Sequence, residues 1–199
     1  MIASPRSGLM AFNAYSPAPV MDARMRERVM RTIVAPTLKG MAAMGAPFKG
    51  VLFAGLMICA DGPRLIEYNV RFGDPETQAM LPRLDEDLLA LLLACVEERL
   101  PERAARLSAK TALSVVLAAK GYPGAPVSGS EIHGIERAAA MPFVSITHAG
   151  TKRRGEQLLA DGGRVLNVDA RAHAYAAIDV IDWPDGFYHR DIGWRAIRA

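Results

Sequence analysis

Two side chains that could bind a hard metal ion lie two residues apart, at Glu67 and Asn69. On a β-strand successive side chains alternate between the two faces, so these two are expected to point to the same side. Arg71 falls on that side as well, where its guanidinium could meet a phosphate, whereas Tyr68 and Val70 are expected to face the core. Mg²⁺ prefers oxygen ligands and combines one or two carboxylates with substrate phosphates. The pattern therefore predicts one polar, chemically coherent strand face.

Each part of this stretch also has an ordinary structural interpretation. Alternating polar residues usually form the solvated face of a strand, and Glu-x-Asn is a common tripeptide. The run Gly73-Asp74-Pro75-Glu76 is typical of a turn with Asp74 as N-cap and Pro75 as the first helical residue. In the functional interpretation, the amides at this helix start act with Arg71 to hold an anionic group. The residues alone leave both interpretations open.

The elements around this stretch are predicted from hydrophobic periodicity and turn residues. Two apolar runs at residues 51–58 and 64–70, joined by the turn at 60–63, predict a β-hairpin. A helix is expected from Asp22, with Met25, Val29 and Ile33 on one face, and Pro36 is expected to kink or restart it. A short helix should then run from Pro75 to about Leu81. Another follows residues 85–87, with an apolar face made of Leu88, Leu91, Leu92 and Val96.

A charged, Ala-rich segment at residues 97–109 suggests a domain boundary, which divides the chain into residues 1–105 and 106–199. Beyond it, strands are predicted at 111–119, 143–148 and 165–168, and a helix at 171–181. Residues 183–198 carry four aromatic side chains and are expected to dock on the fold. The predicted fold class is α+β.

Composition narrows the class of protein. The chain has 199 residues, 51% hydrophobic and 23% charged, with a net charge of +3. No apolar run reaches the roughly 18 to 20 residues of a membrane span, and the first residues lack a secretory signal. Cys59 and Cys95 are expected to be buried and reduced. We therefore expect a cytoplasmic protein without a membrane partner.

The basic run Lys152-Arg153-Arg154 lacks interleaved aromatics and indicates a solvated loop rather than a nucleic-acid site.

Longer motifs carry a resemblance to a known family. The segment Arg71-Phe-Gly-Asp-Pro-Glu-Thr-Gln78 matches the signature of glycinamide ribonucleotide synthetases, also called phosphoribosylamine–glycine ligases. The chain resembles this family from about residue 14 onward. Further motifs similar to the family occur in the same order, namely 14–20 (AYSPAPV), 50–57 (GVLFAGLM), 120–124 (KGYPG), 148–151 (HAGT), 162–166 (GGRVL) and 187–197 (FYHRDIGWRAI).

The resemblance implies the C-terminal half of an ATP-grasp domain, followed by a small α+β C-terminal domain. It also implies an ATP-dependent ligase that joins glycine to phosphoribosylamine through glycyl phosphate, with Mg²⁺ or Mn²⁺ bridging the ATP phosphates. Glu67 and Asn69 occupy the family's metal-ligand positions. Arg71 and Asp74 match motif positions near the reacting groups, where a phosphate or substrate contact is expected.

The chain also departs from the family pattern. Members are roughly twice as long, and the part not seen here is N-terminal. The sequence contains no Gly-x-Gly-x-x-Gly and no Walker-type loop, and residues 168–173 look shorter than the family's strand-to-helix connection. Two hypotheses follow. The chain is either half of a ligase that is active with the missing half supplied as a separate chain, or a non-catalytic remnant or interaction module.

Overall fold

The computed structural model describes residues 13–170 and 173–192, in which helices and strands are mixed as the α+β prediction requires. The helices are α1 (Ala23–Val29), α2 (Ala35–Ala43), α3 (Glu76–Met80), α4 (Leu88–Val96), α5 (Ile135–Ala139) and α6 (Ala174–Asp179). The strands are β1 (Asn13–Ser16), β2 (Phe53–Cys59), β3 (Gly62–Asn69), β4 (Ala112–Ala119), β5 (Val144–His148), β6 (Thr151–Arg154), β7 (Gln157–Ala160), β8 (Arg164–Ala170) and β9 (Gly186–Phe187).

The largest sheet is antiparallel, with strand order β1-β4-β8-β5. Strand β8 occupies one edge of β4, while β1 pairs with the beginning of β4 and β9 with its end. The first described strand of the chain thus lies in the same sheet as strands of the second predicted domain. The boundary between residues 105 and 106 stays a prediction.

The main hydrophobic core lies on one face of this sheet. Val115 and Leu117 of β4 and Leu166 and Val168 of β8 alternate onto that face, where α5 and α6 cover them. Trp183 is also buried in this core, and its indole N–H donates to Ser130 Oγ at 2.9 Å. The predicted docking of the tail is therefore confirmed as far as residue 192, and the rest of the tail lies outside the described residues.

The opposite face of the sheet is polar although it is buried. Ser114, Asn167 and Asp169 alternate onto it, and each is at most 6% exposed. Helix α3 lies against β1, β4 and β8, and its Ala79 is fully buried. The segment containing the signature motif therefore rests on a polar part of the sheet.

A two-stranded hairpin of β2 and β3 forms a separate sheet, as predicted. Its neighbour is one long helical segment in which α1 and α2 are joined by a π-helical stretch, Met30–Val34. Pro36 lies in the first turn of α2, where a missing backbone N–H is tolerated, so the helix restarts there after the π-helical stretch, which is one of the two predicted outcomes.

Helix α4 begins as predicted, with the Asp87 side chain accepting a hydrogen bond from Ala90 N. Its predicted apolar face is only partly correct. Leu88 and Leu91 are half-buried, but Leu92 and Val96 are exposed, because nothing in the described part of the chain packs over them. In the same part of the chain, no helix is long and apolar enough to cross a membrane.

Candidate metal and phosphate site

The β2–β3 hairpin presents two different faces. On one face Leu56 is buried, and the Tyr68 hydroxyl hydrogen-bonds Thr37 Oγ1 of α2. A β-bulge between Gly55 and Leu56 leaves Ile66 without a partner and keeps Glu67 opposite Gly55. Because of this register, Glu67 and Asn69 share the face that points away from the helices.

Glu67 and Asn69 are in direct contact on that face. Asn69 Nδ2 donates to Glu67 Oε1 at 3.1 Å. Rotation of the Asn69 amide would turn its oxygen toward the carboxylate and leave two hard oxygen donors side by side. This donor set suits Mg²⁺ or Mn²⁺ when nucleotide phosphates supply the remaining ligands. No cluster of three or more His, Cys, Asp or Glu side chains able to hold a metal occurs in the residues that the structure describes.

Strand β3 ends at Asn69, so the alternation argument stops before Arg71. Arg71 is exposed, and its Nη1 donates to the carbonyl of Phe72 at 2.8 Å. The expectation that Val70 faces the core is wrong. Val70 is 70% exposed, since the chain turns out of the strand at this residue.

Asp74 does not cap helix α3. The N-cap position is Pro75, which has no side-chain capping bond, and the helix begins at Glu76. Asp74 Oδ1 accepts from Gln78 Nε2 at 2.9 Å, and Oδ2 lies 3.2 Å from Arg164 Nη2. The predicted N-cap is wrong because a side chain from β8 holds the carboxylate instead.

Glu76 is a candidate site residue that the sequence did not single out. Burial raises the pKa of its carboxyl, the nearby Asp74 raises that pKa further, and Arg164 opposes the shift. Gly73 lies directly under the Glu76 side chain, where an added Cβ would collide with it. An acidic residue in a first helical turn is common, so the sequence carries no signal for this packing.

Three polar residues of the sheet were also missed. Asp169 Oδ2 accepts from Thr147 Oγ1 at 2.8 Å, and burial raises the pKa of Asp169. Ser114 lies directly opposite Asp169 in the β4–β8 ladder, and among the side chains described Asn167 Nδ2 is buried without a hydrogen-bond partner. Burial of polar groups on a strand depends on what covers the strand, which a single sequence does not reveal.

The remaining candidates have local structural roles. His148 Nδ1 hydrogen-bonds Thr151 Oγ1 at 3.0 Å and ties the end of β5 to the start of β6. Cys59 and Cys95 are free thiols as expected, although both are half-buried rather than buried.

Comparisons with known proteins identify related sequences for both parts of the chain. Residues 4–77 match the profile of the phosphoribosylglycinamide synthetase ATP-grasp (A) domain, and residues 112–195 match the phosphoribosylglycinamide synthetase C domain. The phosphoribosylamine–glycine ligase of Mesorhizobium japonicum is 56% identical over 201 residues, which cover 97% of this chain and 47% of the relative.

Solved structures show the same similarity. The crystal structure of phosphoribosylamine–glycine ligase from Thermotoga maritima aligns with a TM-score of 0.75 and 29% identity, covering 90% of this chain and 46% of that one. The biotin carboxylase domain of Hydrogenobacter thermophilus 2-oxoglutarate carboxylase, solved with MgADP, aligns with a TM-score of 0.59 and 12% identity over 93% of this chain and 43% of that one. The second likeness concerns the fold alone. The chain spans about half the length of the relatives it matches.

Proposed function

Since the chain belongs to the phosphoribosylglycinamide synthetase family, we propose that it supplies the metal-binding strand and the C-terminal domain of a phosphoribosylamine–glycine ligase. Its fold is that of the C-terminal half of an ATP-grasp enzyme, as the motifs predict. The proposed reaction joins glycine to phosphoribosylamine in purine synthesis. ATP phosphorylates the glycine carboxylate, and the amine of phosphoribosylamine then displaces phosphate, which leaves ADP and glycinamide ribonucleotide. We place this reaction in the cytoplasm.

The observation that carries the proposal is the contact between Glu67 and Asn69 on the open face of β3. These two residues would hold Mg²⁺ or Mn²⁺ with the phosphates of ATP. When bound, the metal offsets the negative charge of the transferring phosphoryl group. Two protein donors cannot orient three substrates, so the rest of the site must come from elsewhere.

Arg71 and Asp74 are proposed to contact phosphate or substrate. Arg71 supports this because it is exposed and carries a guanidinium that can bind phosphate oxygens bidentately. Asp74 adds a half-buried carboxylate in the loop just before α3. A carboxylate at this place would suit the ammonium group of glycine or the amine of phosphoribosylamine.

We propose that the missing half of the enzyme acts as a separate chain. The relatives are about twice as long as this chain, and α4 and the hairpin leave large apolar side chains exposed. Activity would then require both chains. The small-molecule partners would be ATP, glycine and phosphoribosylamine.

Reconstitution tests this proposal. The chain would be mixed with the amino-terminal half of the Mesorhizobium japonicum relative, and ADP release that depends on both glycine and phosphoribosylamine would be measured. We expect activity in the mixture, and we expect Glu67→Gln to lower it on the order of tenfold to a hundredfold. Glu156→Gln, an exposed glutamate in the β6–β7 turn, is the matched control and should retain activity.

The alternative is a non-catalytic remnant or interaction module. The exposed apolar surface of α4 favours it, since such surfaces mark interaction sites. A soluble, folded mixture of the two halves that releases no ADP would support this alternative over the ligase.

A further inference from the structure

Arg164 connects the C-terminal domain to the signature motif. It lies at the first position of β8, 90 residues after Asp74, and it contacts Asp74 twice. Arg164 Nη1 donates to the backbone carbonyl of Asp74 at 2.7 Å, and Nη2 lies 3.2 Å from Asp74 Oδ2. One guanidinium therefore fixes both the main chain and the side chain of a single loop residue.

The same carboxylate is also bound from helix α3. Gln78 Nε2 donates to Asp74 Oδ1 at 2.9 Å, so both carboxylate oxygens of Asp74 are engaged. The loop before α3, the helix itself and strand β8 meet at this one residue. A shift of Arg164 would release the loop of residues 71–76, which begins at Arg71.

The negative charges around Asp74 favour an arginine at this position. Proximity to Asp74 raises the pKa of both Glu76 and Asp169, after the larger effect of burial, so three carboxyl groups share one region. The nearby Arg164 charge partly offsets the raised pKa of Glu76 and so favours the ionised form of that carboxyl as well. Without this cation, the repulsion among the carboxylates would push the loop away from the sheet.

We propose that Arg164 is a positioning residue that holds the loop of residues 71–76 against the polar face of the large sheet. It contacts no reacting group and acts through Asp74. The C-terminal domain is thereby part of the site rather than an appendage. The consequence for catalysis rests on the proposed ligase function, whereas the positioning itself does not and can be measured on this chain alone.

Amide hydrogen exchange tests the positioning. Arg164→Met should speed exchange in peptides covering residues 71–80 on the order of tenfold, with little change in residues 112–119 of β4, because only the loop is released. Arg164→Lys should restore part of the protection, since lysine keeps the charge but cannot contact the Asp74 carbonyl and carboxylate with two separate N–H groups. Arg137→Met is the matched control, because Arg137 also bonds a backbone carbonyl, that of Val180, in the same domain.

A pH profile separates positioning by charge from simple packing. In Arg164→Met the drop in melting temperature should be larger at about pH 8 than at about pH 5, since the pKa values of Glu76 and Asp169 are raised and these two carboxyl groups are more fully ionised at the higher pH. The double variant Asp74→Asn/Arg164→Met should recover much of this loss. If the single variant does not fold, the double variant should.

Three results would overturn the proposal. The first is unchanged exchange at residues 71–80 in a folded Arg164→Met. The second is equal acceleration in all peptides. The third is a double variant that is no better folded than the single one. An inactive mixture of the two halves would count against the proposed ligase and would leave these outcomes unaffected.

Discussion

Gly55 controls how closely Glu67 can lie against the hairpin. The two residues are directly opposite each other in the β2–β3 ladder. A Cβ at position 55 would lie 3.1 Å from Glu67 Cγ, which is tighter than ordinary contact, and 3.5 Å from the Glu67 carbonyl oxygen, which is ordinary contact. The glycine therefore leaves room for the Glu67 side chain beside strand β2. Its role is close approach, since Gly55 does not have a positive φ.

Gly55→Ala should displace the Glu67 carboxylate while leaving the fold intact. Because Glu67 is an exposed, flexible side chain, we expect a change in the free energy of unfolding of less than about 1 kcal/mol. In the reconstituted enzyme, displacement of this proposed metal ligand should raise the Mg²⁺ concentration needed for half-maximal ADP release. A metal titration of the two enzymes checks this.

Gly40→Ala is the control for this prediction. Gly40 lies in α2 with open space around its missing Cβ, so alanine there should leave the metal dependence unchanged. An identical metal titration for Gly55→Ala and the unaltered chain would show that the space beside Glu67 does not matter.

At this scale, the sequence predicts contacts that depend on local geometry. Strand alternation is enough to place Glu67 and Asn69 on one face, and the 3.1 Å contact agrees with it. Asp74 was misassigned as an N-cap because its partner, Arg164, is 90 residues away. No local sequence pattern predicts a contact between residues that far apart in the chain.

Among the connecting elements, the segment after α4 is held by one carboxylate. Glu86 receives two hydrogen bonds from the Arg103 guanidinium, the one from Nη1 at 2.9 Å, and a third from the backbone N–H of Arg106. An isolated bridge between Leu84 and Leu107 reinforces the same crossing. The irregular residues between α4 and β4 are thereby tied back to the start of α4.

This arrangement predicts a pH dependence of stability. The hydrogen bonds from Arg103 and then from Arg106 lower the pKa of Glu86 to about 2, from an ordinary value of 4.5. A carboxyl with a lowered folded-state pKa stabilises the fold fully above its unfolded pKa, and this contribution disappears as the pH falls through its folded-state pKa. The difference in melting temperature between the chain and Glu86→Gln should therefore be constant above about pH 5 and should shrink toward pH 2.

Glu102→Gln, in the same segment, serves as the comparison and should give no such profile. A Glu86→Gln difference that stays the same from neutral to acidic pH would contradict an ionic role for Glu86.

The elements most easily predicted were those with a strong local pattern. The β2–β3 hairpin follows from two apolar runs around a Gly-containing turn, and α4 from Asp87 followed by a leucine-rich run. Strands β1, β6, β7 and β9 were not predicted. They have two to four residues each, and they form because an edge of β4 or a neighbouring strand is available.

The distribution of apolar surface over the described molecule is uneven. Leu89, Leu92, Leu93 and Val96 form an exposed stripe along α4, and Leu65, Ile66 and Val70 are exposed on and just after β3. The opposite side of α4 carries Leu88, Leu91 and Ala94, so this helix is apolar on nearly every side. A helix of this kind is normally buried all round. Burying one leucine side chain is worth about 1.5–3 kcal/mol, which gives the stripe a strong tendency to be covered.

We therefore predict that the chain self-associates when it is alone. Sedimentation velocity at increasing concentration should show a growing oligomeric fraction, and a hydrophobic dye should bind. The double variant Leu89→Glu/Val96→Glu should reduce both signals without lowering the melting temperature, because the two side chains are 64% and 68% exposed. Val127→Glu, at an exposed apolar position outside α4, should leave both signals unchanged.

If the missing half of the ligase is the natural cover of this stripe, adding it should suppress self-association of the unaltered chain. A monodisperse monomer that binds no dye would mean that the stripe is stable in water, and the physical argument for a separate partner chain would lose its support.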